Sequence, residues 1–69
     1  MSVVKILTLV GESPVSWQDA TERLIKEVQE TLHGVTRIGI TEFDVRLKED
    51  KVDAYRVRAE VSFRVERKA

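Results

Sequence analysis

The chain contains no cysteine, which excludes a disulfide framework and a thiolate zinc site. Its only histidine is His33, so no Cys/His cluster is available for a metal. Low-complexity segments, internal repeats and linkers are also absent. Neither sign of charge dominates: 12 Lys and Arg balance 12 Asp and Glu. Bulk electrostatics therefore favours neither nucleic acid nor a membrane surface. No apolar run approaches the length of a membrane span. The first ten residues lack the basic stretch, apolar core and small-residue cleavage site of a secretory leader. A cytoplasmic protein is the expectation.

What is present is one short domain, residues 1–69, with 35% charged residues of interspersed sign. A chain of this size buries a small share of its surface on folding. Without disulfides or a structural metal, self-association is the most economical source of further burial.

Residues 3–10 form an apolar, β-branched run closed by Gly11, which reads as a strand covered on both faces. A turn through Glu12, Ser13, Pro14 and Val15 follows. Ser16 is a helix N-cap residue, with Asp19 three positions on as the carboxylate of a capping box. Trp17, Ala20, Leu24, Ile25, Val28 and Leu32 then share one helical stripe. Asp19 and Arg23, and Glu22 and Lys26, are spaced for i,i+4 pairs on the opposite side. Gly34 and His33 suit the C-terminal end, so the spacing predicts a helix over residues 16–33.

Residues 35–47 read as a second strand whose apolar parity changes between Ile38, Ile40 and the set Phe43, Val45, Leu47. A β-bulge near Thr41 and Glu42 would return both sets to one face. Residues 48–51 make a polar hairpin connection. Residues 52–66 alternate almost without interruption, with Tyr55, Val57, Ala59, Val61, Phe63 and Val65 on one side. The other side carries Arg56, Arg58, Glu60, Ser62, Arg64 and Glu66. In this β-α-β-β order a right-handed crossover makes the first two strands parallel. The long third strand then fits between them, antiparallel to both, with the helix on one sheet face and the charged row on the other.

The opening strand with Gly11-Glu12-Ser13-Pro14, the Ser16-capped helix and the closing Val61-Ser62-Phe63-Arg64-Val65-Glu66 together resemble the dodecin family, whose members close with Val-Gly-Phe-Arg-Leu-Glu. The resemblance spans nearly the whole chain. It implies a β-α-β-β protomer assembled as a hollow dodecamer with two-fold and three-fold interfaces. In flavin-binding members a tryptophan early in the second strand stacks on the flavin and a glutamine early in the third bonds its polar edge. Those positions fall on Arg37 and Arg56, so the resemblance implies that flavin is an unlikely cofactor here. A branch lacking that tryptophan, calcium dodecin, opens with a Ser-Pro-x-Ser-Trp phrase similar to Ser13-Pro14-Val15-Ser16-Trp17. Calcium is therefore the candidate ion.

Arg37 and Arg56 are the candidate ligand-binding residues, because a guanidinium offers a planar fork of donors to phosphate or carboxylate. Their structural alternative is an intersubunit ion pair with an acidic side chain. Asp44, Glu49, Asp50 and Asp53 are the acids nearest to a calcium set, but no local calcium loop is present and a solvated hairpin tip is the simpler reading. Trp17 reads as packing rather than ligand stacking. His33 has nothing near in sequence to orient it as a ligand or base. Ser16 and Ser62 lack a base partner, so nucleophilic catalysis has no support. Glu60 and Glu66 interrupt the arginine row, and no exposed aromatic platform accompanies it, which argues against RNA.

The sequence thus points to an α+β, non-catalytic binding or storage oligomer, with a small anionic ligand or a divalent cation as its partner. A flavin-binding dodecin and a structural, partner-binding oligomer are the alternatives.

Overall fold

A computed structural model describes residues 3–65. The elements are β1 (Val4–Ser13), α1 (Trp17–Thr31), β2 (Val35–Lys48) and β3 (Lys51–Arg64). They form a three-stranded sheet in the order β1-β3-β2, antiparallel at both pairings. The longest alternating segment is thus central, as its pattern implies. Among the described residues no helix is long and apolar enough to cross a membrane.

Strand β1 continues two residues beyond Gly11, which pairs with Val57 inside the strand. Gly11 is there because the helix lies on it. A Cβ at this position would sit 2.7 Å from the Ala20 carbonyl oxygen and 2.9 Å from the Leu24 Cβ. The glycine is a close-approach site, and the turn begins only after Ser13.

The helix starts as its capping residue dictates, with Ser16 Oγ accepting from the Asp19 N–H at 3.0 Å. The second half of a capping box is not made. Asp19 instead accepts from Ser13 Oγ at 2.5 Å and from Arg23 Nε at 2.7 Å. Ser13 Oγ in turn accepts from the Val15 N–H at 3.0 Å. This clamp fixes the reversal between strand and helix, and Ser13 is fully buried beneath it. Its hydrogen bond, followed by the Arg23 guanidinium, holds the Asp19 carboxyl below its usual pKa against the opposing effect of desolvation.

Leu24, Val28, Ala59 and Val61 form the core, with Leu9, Leu32, Val35 and Ile38 packed around it. Phe63 shares the helix-facing parity of Val61 but is only half-buried, since it lies beyond the helix end. The bulge in β2 falls between Ile40 and Glu42, so Phe43 and Val45 face the same side as Ile38 and Ile40. A further shift between Arg46 and Leu47 was not expected from the pattern. It sets Leu47 opposite Val52 and leaves Asp53 as the extra residue of β3. The hairpin closes through Glu49 and Asp50, both with positive φ (53° and 64°), the backbone of a two-residue type I′ turn. Lys48 and Lys51 belong to the strands as its flanking pair.

The protomer is long, 55 × 19 × 15 Å, with a radius of gyration of 14.4 Å. A compact chain of this length has a radius near ~11 Å. The excess is the β2–β3 arm, which extends past the helix and leaves Phe43, Leu47 and Val52 exposed. At its root Trp17 packs edge-on against Tyr55 and Phe43 and donates from Nε1 to the Asp44 carbonyl at 2.9 Å. Trp17 thus acts in packing.

Two outcomes follow from this packing. Gly11→Ala should destabilise the protein by ~1–3 kcal/mol, because the clash is with helix backbone and cannot be relieved by a rotamer change; chemical denaturation measures it, and an unchanged midpoint would contradict the close approach. The Asp19 clamp should make stability acid-sensitive. Its pKa is lowered on folding, so its contribution is complete above the unfolded value near ~3.9 and is lost as pH falls through the lower folded value. Asp19→Asn should flatten that acid limb in melting temperatures taken from neutral pH downward, and an identical limb in the variant would refute the assignment.

Candidate functional site

The sheet has a second face that no element among the described residues covers. Pairing places Val4, Ile6, Thr8, Val10 and Glu12 of β1 there, beside Arg56, Arg58, Glu60, Ser62 and Arg64 of β3. From β2 it receives Arg37, Gly39, Glu42, Asp44 and Arg46. β1 is apolar on this face as well as on the helix side. Val4, Ile6 and Val10 are 49%, 59% and 41% exposed, so the strand expected to be covered on both faces is covered on one.

The charged half of the face is organised by cross-strand register. Arg58 lies opposite Glu42 with Nε 3.2 Å from Oε1, and Arg56 lies opposite Asp44 with Nε 3.2 Å from Oδ1. Arg56 is also 3.8 Å from Glu12. Arg46 reaches across to Glu12 at 3.2 Å and back to Asp53 at 3.0 Å. Asp53 first, then Glu12, pushes the already high Arg46 pKa further up. The result is one network, Asp53–Arg46–Glu12–Arg56–Asp44, that crosses all three strands. Exposed pairs of this kind are individually weak, because water screens them. Their shared geometry fixes the side chains in place.

Arg56 is therefore ion-paired within its own chain, to Asp44 and Glu12. The pair is imperfect. Asp44 Oδ1 and Arg56 Nε are both shielded from solvent, yet neither makes a hydrogen bond. Such buried, unsatisfied polar atoms are costly and are usually completed by another group.

Arg37 is in a different situation. It is exposed, and among the described residues it has no acidic partner. With Ile6, Gly39, Glu60 and Ser62 it lines a depression of about 170 Å³. Gly39 opens the floor of this depression because it carries no side chain above Glu60. Arg37 pairs with Ser62 whereas Asp44 pairs with Arg56. Six residues of β3 separate the two positions, roughly 20 Å at strand spacing. One protomer does not bring Arg37 and Arg56 to one small ligand.

The acids considered for calcium do not converge. Asp44 and Asp53 are held by Arg56 and Arg46, while Glu49 and Asp50 form the exposed hairpin turn. No group of three or more His, Cys, Asp or Glu is placed to hold a metal ion among the described residues. A single protomer does not fit the six to eight oxygens that calcium takes. The fit to flavin is poor too. Arg37 presents a charge and no ring, and Arg56 is ion-paired with Asp44 and Glu12.

Sequence reasoning missed the network because it depends on the second bulge. Counted back from the two-residue turn without that shift, Arg46 would face Asp53 and Asp44 would face Tyr55. The alternation of Glu42, Asp44 and Arg46 against Arg56 and Arg58 was the available signal.

Comparisons with known proteins agree with this geometry. A family model described as Dodecin matches residues 3–66. The chain is 28% identical over 65 residues to calcium dodecin of Mycobacterium tuberculosis, covering 94% of this chain and 92% of that protein. A crystal structure of that calcium-chelating antigen superposes with a TM-score of 0.81 at 27% identity, over 94% of this chain and 93% of the other. A Thermus thermophilus protein superposes with a TM-score of 0.82 at 28% identity, over 99% and 100% of the two chains. With the family model covering all but five residues and the β-α-β-β topology shared, this chain belongs to the dodecin family.

Proposed function

We propose that the protein is a non-catalytic binding and storage assembly, a homo-oligomer with the hollow dodecamer architecture, whose ligand sits on the uncovered sheet face between copies. The observation that carries this reading is the composition of that face. It combines an exposed apolar row on β1, an ion-pair network across the strands, and two solvent-shielded atoms of that network that make no hydrogen bond. A solvated monomer surface has no use for such an arrangement, while an interface completes it. The elongated protomer supports the same conclusion, because its arm adds apolar area that its own helix cannot reach.

An antiparallel two-fold pairing of these faces would bring the Arg37 end of one protomer over the Arg56 end of its partner. The two residues would then share a seat that neither builds alone. Arg37, with no acid committed to it among the described residues, is the ligand-facing member, and a small anion is the chemistry it suits. Arg56 holds the wall of the seat through Asp44 and Glu12. Calcium remains the candidate ion through the relatives named for it. Since the acids of one protomer do not converge, such a site would draw carboxylates from several copies. No acid, base or nucleophile constellation supports an enzyme.

Native mass spectrometry should find a particle of roughly 95 kDa, twelve chains of 7.9 kDa in a closed symmetric assembly. Any calcium or small anion carried through purification would appear as added mass. A stable monomer or dimer at micromolar concentration would sink the proposal.

Flavin should bind weakly. Stacking on tryptophan contributes ~0.5–1.5 kcal/mol beyond burial, whereas the Arg37 guanidinium offers less area and must lose water to reach the ring. Riboflavin titration followed by fluorescence should show weak quenching that becomes strong in an Arg37→Trp, Arg56→Gln variant. Tight quenching by the natural sequence would reverse this assignment.

A further inference from the structure

The charges of the outer sheet face follow an order that fits a copy of itself. Along β2, Arg37, Gly39, Glu42 and Asp44 lie opposite Ser62, Glu60, Arg58 and Arg56 of β3. From the Arg37 end, β2 reads positive, neutral, negative, negative. Over the same rungs β3 reads neutral, negative, positive, positive. Arg58 and Arg56 are ion-paired with Glu42 and Asp44 across their own rungs.

Two charges stand outside this pairing. Arg37 and Glu60 both border the depression over Gly39, yet among the described residues neither has an ion-pair partner. At the other end of the face, three acids, Glu12, Asp44 and Asp53, share two arginines, Arg46 and Arg56. One end therefore has a surplus acid and the other an unpaired cation. The Asp44 side chain is still 44% exposed, so a further cation can reach its carboxylate.

We infer that a second copy lies antiparallel on this face, in the register that sets Arg37 over the partner's Asp44 and Glu60 over the partner's Arg58. This register presupposes the face-to-face assembly proposed for the protein and specifies how its copies align. A two-fold interface is isologous, so each of these contacts occurs twice. Across the four rungs, no charged residue of β2 or β3 then meets its own sign. Sliding the copy by one rung destroys that match. One direction sets Glu60 on the partner's Glu60. The other sets Arg58 on the partner's Arg58 and Arg37 over the partner's Arg46. Running the copies parallel stacks Glu60, Arg58 and Arg56 each on its own counterpart. Like charges brought together at an interface are costly, and they exclude the wrong alignments. Shape agrees with charge, because Gly39 carries no side chain and leaves room for the partner's Glu42 and Arg58. Arg37 thereby gains an acid, and an anion that binds Arg37 must displace the partner's Asp44 carboxylate.

The test is a double-mutant cycle on the assembly, with Arg37→Ala, Asp44→Asn and both together. Native mass spectrometry across a dilution series gives the concentration at which half of the assembly dissociates. Each single variant should raise it about tenfold, the loss of one charged contact. The double variant should raise it no further than about tenfold, because both changes remove the same pair. Within one chain the two residues stand roughly 20 Å apart along the strands, so coupling between them can arise only across copies. Effects inside one chain, including the loosening of Arg56 by Asp44→Asn, cancel in the cycle. Glu60→Lys loses no ion-pair partner among the described residues of its own chain, yet it should dissociate the assembly more than Glu60→Gln does. Independent effects that multiply to about a hundredfold in the double variant would overturn the register. So would a Glu60→Lys variant that assembles like the natural chain. A natural chain that stays monomeric would overturn the assembly itself, and the register with it.

Discussion

A 15-residue helix rises about 22 Å and a 14-residue strand spans about 46 Å. This protein sets one such helix against two such strands, and the mismatch governs the rest of the structure. The helix packs against the half of β3 that carries Val57, Ala59 and Val61. There it approaches the sheet closely, because Gly11 and Ala20 leave no side-chain bulk between them. The remaining half of the hairpin stands clear of it. Burial can be completed only by another chain, and the apolar residues of the arm and of β1 are placed where one could provide it.

The uncovered sheet face answers the same constraint with charge. A face made only of valine and isoleucine would bury well between copies but would also associate without a defined register. Here the apolar row is confined to β1, and the adjoining strands carry charges already paired within the chain. Pairing Arg46 and Arg56 inside the protomer restricts side-chain freedom before any association takes place. It also limits the stabilisation that a second chain can add at those residues. The Arg56–Asp44 pair, with its solvent-shielded atoms unbonded, is the member of the network that another group can still complete.

Much of the fold was legible in the residues. Ser16 located the helix start, the change of parity at Thr41 located one bulge, and the long alternation of β3 made it the central strand. Gly11 misled because the same residue type serves turns and close packing, and only the position of the helix distinguishes them. The Asp19 carboxylate was assigned to a capping box, but Ser13 lies within reach once β1 runs through to it. The bulge after Arg46 could not be read, since Leu47 and Val52 give no contrast between exposed faces. The site suffered most from that gap. Arg37 and Arg56 were identified by resemblance; the two bulges offset one another, so Arg37 lies opposite Ser62 as a plain count from the turn would also place it. The resemblance also accounts for why the two were named together, as positions that could meet only across two copies.

Net neutrality conceals an uneven distribution of charge along the long axis. At the hairpin end, Arg46 and Arg56 are surrounded by Glu12, Asp44 and Asp53, and the network closes on itself. Toward the other end, where β1 begins and β3 finishes, Arg37, Lys5 and Arg64 have no such partners among the described residues. Acidic side chains at the tip cannot neutralise them over tens of ångströms, because salt screens charges separated by more than about 10 Å. Composition therefore underestimates what this protein can attract. A chain with zero net charge can still hold an anion where a cation such as Arg37 lies apart from the acids that pair with Arg46 and Arg56.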